Sequence, residues 1–315
     1  MAETLDVYNE ETLYRHLWAN RLTVLDGILA SERNLSRALA ILDEFARTYS
    51  LSVEGVGSRT GKDGQTARLT GRAIVQPNVV DPADRDRFPD CPLLPTGVPA
   101  FAYTVESGNR TIRPFYGTYD DVVVNWLLEA VNDRGYDAIV ELGSGFGQKL
   151  FQLYLAGGPG NIPYFGAELW EEGRRGAERL AALEPALDFR SVAFDFNAPD
   201  LSFLAGFRKV LLFTNAALCN VTTLPGDLME RLSAAAPQVM GYHFEFVGHQ
   251  IRRDVPALAW FYRMADERKY NTNFVQLFLD AHRGNRIRAH FLAPDVYDVS
   301  SGHPVTVAIW SGGTG

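Results

Sequence analysis

Apolar residues between positions 9 and 49 recur every three to four residues: Tyr14, Leu17, Trp18, Leu22, Leu25, Ile28 and Leu29, then Leu35, Ala38, Leu39, Leu42 and Phe45. That period predicts two amphipathic helices, with Asn9 and Ser31 as candidate N-caps. Either they pack on the rest of the chain as core elements, or they form a dimer contact or a roof over a substrate. The pattern is then lost. Residues 51 to 76 carry short β-like pieces of unreadable arrangement, and seven prolines between Pro77 and Pro114 suggest an extended connection. A helical stripe returns with Val123, Trp126, Leu127 and Ala130, entered through Thr118 or Asp120.

From residue 138 onward short apolar runs alternate with helix-like stretches. Ala138-Ile139-Val140, Tyr164 to Leu169, Phe189 to Phe194, Lys209 to Asn215 and Gln238 to Val247 read as strands. Between them, Lys149 to Tyr154, Glu171 to Leu180 and Pro225 to Ala235 read as helices, and residues 256 to 283 read as helical. A closing pair of strands, Ile287 to Leu292 and Val305 to Trp310, is joined through Pro294 to Pro304. The expected fold class is α/β with helices on both faces of the sheet. Residues 1–115 form a mostly helical or irregular accessory region and 116–315 the main domain.

The first of these strands ends in Glu141-Leu142-Gly143-Ser144-Gly145-Phe146-Gly147. Alternate glycines before a helix make a tight turn where backbone comes close to a ligand. A dinucleotide fingerprint needs G-x-G-x-x-G, but Gln148 stands where its third glycine belongs, and no P-loop Gly-Lys-Ser/Thr is present. Two further acids follow at strand ends, Glu168 and Asp195. A carboxylate in the first of these places can accept hydrogen bonds from ribose hydroxyls.

The series E-x-G-x-G-x-G, Glu168, Asp195-Phe196 and a fourth strand ending in Asn215 resembles the motifs of class I, Rossmann-like S-adenosylmethionine (SAM) methyltransferases, over roughly residues 118 to 312. The resemblance implies a seven-stranded sheet whose last strand is inserted between the fifth and sixth. It implies a cofactor set of Glu141, Gly143, Ser144, Gly145, Gly147, Glu168, Leu169, Asp195, Phe196 and Asn215. In that family Glu141 lies near the ammonium of SAM, Glu168 at the ribose, and Asp195 with Phe196 at the adenine. S-adenosylhomocysteine (SAH) is the product.

Composition narrows the partners. Hydrophobic residues are 46% of the chain and the formal charge is −8, so a general attraction to nucleic acid is not expected. Cys91 and Cys219 have no metal-ligand spacing, and no run is long enough to cross a bilayer, so a soluble cytoplasmic protein without a metal is the expectation. The N-terminal helices are the candidate homodimer contact.

Methyl transfer needs a nucleophile held in line and, for some acceptors, a base. His243, Glu245 and His249 cluster in sequence where the family places the methyl group, and a histidine held by a carboxylate is a competent base. Their other reading is as satisfied polar groups at the sheet rim. Tyr119, with Tyr116 and Asp120, is a candidate for the lid. Arg252 and Arg253 read as a solvated pair or as anion ligands. Thr214-Asn215-Ala216-Ala217 lacks the prolines and aromatic of the Asn/Asp-Pro-Pro-Tyr type N-methylation motif. These features give a methyltransferase acting on a small molecule or modified peptide, at oxygen, with a histidine base. The alternatives are an N-methyltransferase on an amine or guanidine, another transfer such as an aminopropyl group, and a non-catalytic SAM-binding scaffold.

Overall fold

The computed structural model describes residues 4–5, 10–54, 69–70, 72–77, 101–106, 109–114, 119–132, 134–267, 269–299 and 303–314, with side chains over 18–43, 122–132 and most of 134–296 and 304–314. Seven strands make the main sheet: β1 (Ala138–Leu142), β2 (Tyr164–Glu168), β3 (Phe189–Ala193), β4 (Lys209–Asn215), β5 (Gln238–Glu245), β6 (Arg288–Val299) and β7 (His303–Gly312). Their order is β6-β7-β5-β4-β1-β2-β3. The first five are parallel, and β7 runs antiparallel between β5 and β6. This is the sheet that the resemblance implies.

The helices are α1 (Glu10–Leu29), α2 (Leu35–Thr48), α3 (Tyr119–Asn132), α4 (Gln148–Leu155), α5 (Glu171–Ala181), α6 (Leu228–Ser233), α7 (Ala259–Glu267) and α8 (Phe274–Arg283). Strand alternation divides the core into two layers. Ile139, Leu211, Phe213 and Phe244 face a layer shared with α1 to α4, while Val140, Leu212, Ala308 and Trp310 face one shared with α6 and α8. Leu22 and Leu25 of α1 and Leu35, Ala38 and Leu39 of α2 are buried in the first layer, so both N-terminal helices share the sheet's own core. Among the described residues no helix is long and apolar enough to cross a membrane.

Several boundaries differ from the sequence expectation. The cap of α2 is Asn34, whose side chain accepts the Arg37 N–H at 3.0 Å, rather than Ser31. The Asn9 cap and Tyr116 lie outside the described residues. The segment Pro77–Pro114 contains a hairpin, Phe101–Glu106 with Asn109–Pro114, and Tyr49–Glu54 pairs with Arg72–Pro77. The helix expected from Pro225 spans only Leu228–Ser233. The stretch 256–283 is broken into two helices. The expected connection from Pro294 is instead strand: β6 carries register shifts between Ala289 and Phe291 and between Ala293 and Tyr297, with Asp295 at φ 52°. A proline is tolerated there because β6 is the sheet edge, where an N–H need not be donated.

Candidate functional site

The parallel strands β1 to β5 end on one edge of the sheet, and the glycine turn sits at that edge between β1 and α4. Gly143 N–H donates to the Ala167 carbonyl at 2.7 Å, which ties the turn to β2. Gly143 and Gly145 have φ of 72° and 54°, a region that side chains disfavour. Space forbids a side chain as well: a Cβ on Gly143 would lie 2.5 Å from that of Ala217, and one on Gly145 would lie 2.3 Å from the Trp18 ring.

Glu168 ends β2 and points back under the turn. Its two carboxylate oxygens accept the Gly145 N–H at 2.8 Å and the Trp170 N–H at 2.9 Å. Burial pushes its pKa up, and the amide donors pull it the other way. Each oxygen has a further lone pair for a ligand. Two glycines let α5 approach this point. A Cβ on Gly173 would meet Glu168 Cγ at 2.8 Å, and one on Gly176 would meet the Phe146 ring at 2.3 Å.

A cleft of about 1490 Å³ opens over the turn. Glu141, Gly143, Ser144, Gly145, Glu168, Leu169, Asp195, Phe196 and Asn215 all line it, so nine of the ten residues expected to hold the cofactor meet in one place. The tenth, Gly147, starts α4 in the left-handed conformation behind the turn. Asp195 is fixed by the Asn197 N–H and side-chain amide at 2.8 and 3.1 Å. Ser144 Oγ is buried without a hydrogen-bond partner. The donor set fits an adenosine-bearing ligand: a turn too tight for side chains, a ribose-height carboxylate, and an acid beside a buried aromatic ring.

The residues expected to carry the chemistry are placed differently. His243, Glu245 and His249 do not line this cleft. His243 is 1% exposed in the middle of β5, between Thr214 of β4 and Ala308 of β7. Its Nε2 accepts from Trp310 Nε1–H at 2.8 Å, so the proton of the neutral ring is on Nδ1, 3.0 Å from Thr214 Oγ1. Burial lowers its pKa to about 3. Thr214 in turn bonds Glu245, which accepts the N–H groups of Ala217 and Cys219 at 3.2 and 3.0 Å. His243 and Glu245 do share a face of β5, as their spacing requires, but it is the face turned to α8 and the core. The pair buttresses the loop after β4 from behind and does not reach into the cleft.

His249 lies in a short turn (Gly248–Gln250) with Nε2 against the Asn271 carbonyl at 3.1 Å. It lines a second cavity of about 520 Å³ that shares only Thr222 with the first. Tyr119 begins α3, and its side chain lies outside the described residues. Arg252 and Arg253 pair with Asp295 and Asp266, both at 2.7 Å, at the surface.

The cleft residues that the sequence reading did not single out include Trp18, Arg21, Lys149 and Trp170. Lys149 stands two residues after Gly147 and is 7% exposed, a burial uncommon for lysine that no local pattern announces. Trp18 belongs to an apolar stripe in which nothing marked it as different from Leu22 or Leu25.

No family model and no curated protein matches the chain. Among solved structures it is similar to a geranyl diphosphate methyltransferase in complex with GPP and sinefungin, at 12% identity over 61% of this chain and 76% of that one, with a TM-score of 0.42. A SAM-dependent methyltransferase from Aquifex aeolicus gives 15%, 60%, 88% and 0.40 in the same order. Magnesium protoporphyrin IX methyltransferase from Synechocystis with bound SAH gives 16%, 61%, 80% and 0.40. Likenesses this distant carry no argument about activity. The strand order itself gives the fold, that of the Rossmann-like methyltransferases.

Proposed function

We propose that this chain is a SAM-dependent methyltransferase acting on a small molecule or modified peptide. The observation that carries the reading is Glu168, held under the left-handed glycine turn by Gly145 N–H while it faces the cleft. Bound SAM supplies an electrophilic methyl on a sulfonium that is already a good leaving group. The chain's residues then bind, orient and exclude water. Glu168 would accept from the ribose hydroxyls, Glu141 would hold the ammonium end, and Asp195 and Phe196 would take the adenine. Asn215 and Thr223 line the β4 side of the cleft, where an acceptor would lie.

Proton removal by His243 is dropped from the mechanism, because both its ring nitrogens are engaged in the core. The oxygen reading then applies to acceptors already anionic near neutral pH, such as carboxylates and acidic phenols, for which positioning in line suffices. Calorimetric titration with SAH, in parallel with NADH, tests the cofactor. The expected result is micromolar-range binding of SAH alone, weaker by about 1–3 kcal/mol in Glu168→Ala with the fold retained by circular dichroism. A folded wild-type protein that ignores SAH would sink the reading.

A further inference from the structure

The notable feature of the cleft is a residue brought from more than a hundred positions upstream of the turn. We infer that α1 is a working part of the cofactor site, with Trp18 as an aromatic roof on the glycine turn that a bound cofactor lies against. The inference rests on the SAM-binding reading above.

The indole sits directly on the α-carbon of Gly145, so close that a Cβ there would fall 2.3 Å from Trp18 Cη2. Gly145 is the residue whose N–H holds Glu168, so the roof stands beside the ribose carboxylate. The indole also packs on Phe146, with centroids 5.2 Å apart, and Phe146 is in turn seated against Gly176 of α5. Arg21, one helical turn on, stacks its guanidinium 4.7 Å from the Trp18 ring, and both residues line the cleft. Gly145 and Phe146 are buried beneath the indole.

The roof is held on both sides. Leu22 and Leu25 anchor α1 in the core, and Asp26 pairs with Arg179 of α5. Asp43 of α2 accepts from Gln148 and Gln152 of α4 at 3.1 and 2.9 Å. The two N-terminal helices thus grip the two helices that leave β1 and β2. Trp18 presents a large rigid apolar surface, the kind of group that ties a planar or thioether ligand down at small entropic cost.

The test is SAH titration of wild type, Trp18→Ala, Trp18→Phe and Trp170→Phe, followed by calorimetry and by tryptophan emission. Trp18→Ala is expected to bind about tenfold more weakly, and Trp18→Phe to stay within about twofold of wild type. The ligand-induced emission change should shrink in Trp18→Phe beyond its loss in Trp170→Phe. If Trp18→Ala fails to fold, the emission comparison between the two phenylalanine variants decides. Wild-type or tighter affinity in Trp18→Ala, or an undiminished emission change in Trp18→Phe, overturns the roof and leaves the SAM-binding reading standing. Absence of SAH binding by the wild type removes both.

Discussion

The two halves of the cleft edge are built on different principles. On the β1–β2 side the cleft-lining groups include backbone amides and the carboxylates of Glu141 and Glu168, the second of which accepts from two backbone amides. On the β4–β5 side the groups that carried chemical promise, His243 and Glu245, turn inward and hydrogen-bond each other's neighbours. On the first side the left-handed turn leaves no room for side chains and lines the cleft with backbone. The second side uses its titratable groups to hold a loop in place. A histidine in a methyltransferase-like strand is thus no guide to a base. What matters is which face of the strand it occupies.

Removing His243 is the strongest way to break that contrast. Truncation to alanine strands the Trp310 N–H, takes one partner from the Thr214 hydroxyl and opens a cavity, so unfolding free energy should fall by about 2–4 kcal/mol. Denaturant unfolding measures this, and SAH affinity of the remaining folded protein should hardly move. A variant of unchanged stability with lost turnover would restore the histidine-base reading. The same residue predicts a pH slope. With a folded pKa of about 3 against an ordinary 6.5, His243 costs nothing above pH 6.5. As pH falls from 6.5 toward 3 only the unfolded chain takes up the proton, and stability drops by about 1.4 kcal/mol per unit. The difference between wild type and His243→Ala at pH 5 and pH 7 isolates that slope.

Gly176→Ala sharpens the other side. Alanine is the better helix former by about 1 kcal/mol, yet a methyl group here meets the Phe146 ring, and overpacking costs about 1–3 kcal/mol. The expected outcome is a destabilised protein with weakened SAH binding, since Phe146 carries Trp18 on the turn. A stabilised variant with intact binding would show that α5 and the turn are not tightly coupled. The smallest effect is expected at Arg253→Ala, which breaks an exposed pair with Asp266 worth about 0–1 kcal/mol. A large loss of turnover there would mean that the cavity beside His249 takes part in acceptor binding.

The binding half of the site was legible because its determinants are local. Strand, turn and helix lie within about a dozen residues, and the acids that follow stand at strand ends that apolar runs delimit. Glu141, Glu168 and Asp195 therefore reach the cleft wherever the strands pair in parallel. Trp18 had no such signal, since a roofing tryptophan and a core tryptophan have the same helical spacing. His243 carried a misleading one: its spacing from Glu245 places both on one face, but parity alone does not say which face meets solvent. The edge strand β6 was cut short for a similar reason, because Pro294 reads as a break until the sheet shows that its missing N–H faces no partner.

By itself the sequence determined the alternation of strands and helices, the glycine turn and the three acids at strand ends. These follow from short-range sterics and periodicity, which neighbours along the chain settle. Only the tertiary structure decided that His243 bonds Trp310 in the core and that α1 lays Trp18 on Gly145. Each of these joins residues tens to more than a hundred positions apart. Such contacts are selected by packing and by the cost of leaving a buried polar group unpaired, and neither is visible before the chain has closed on itself.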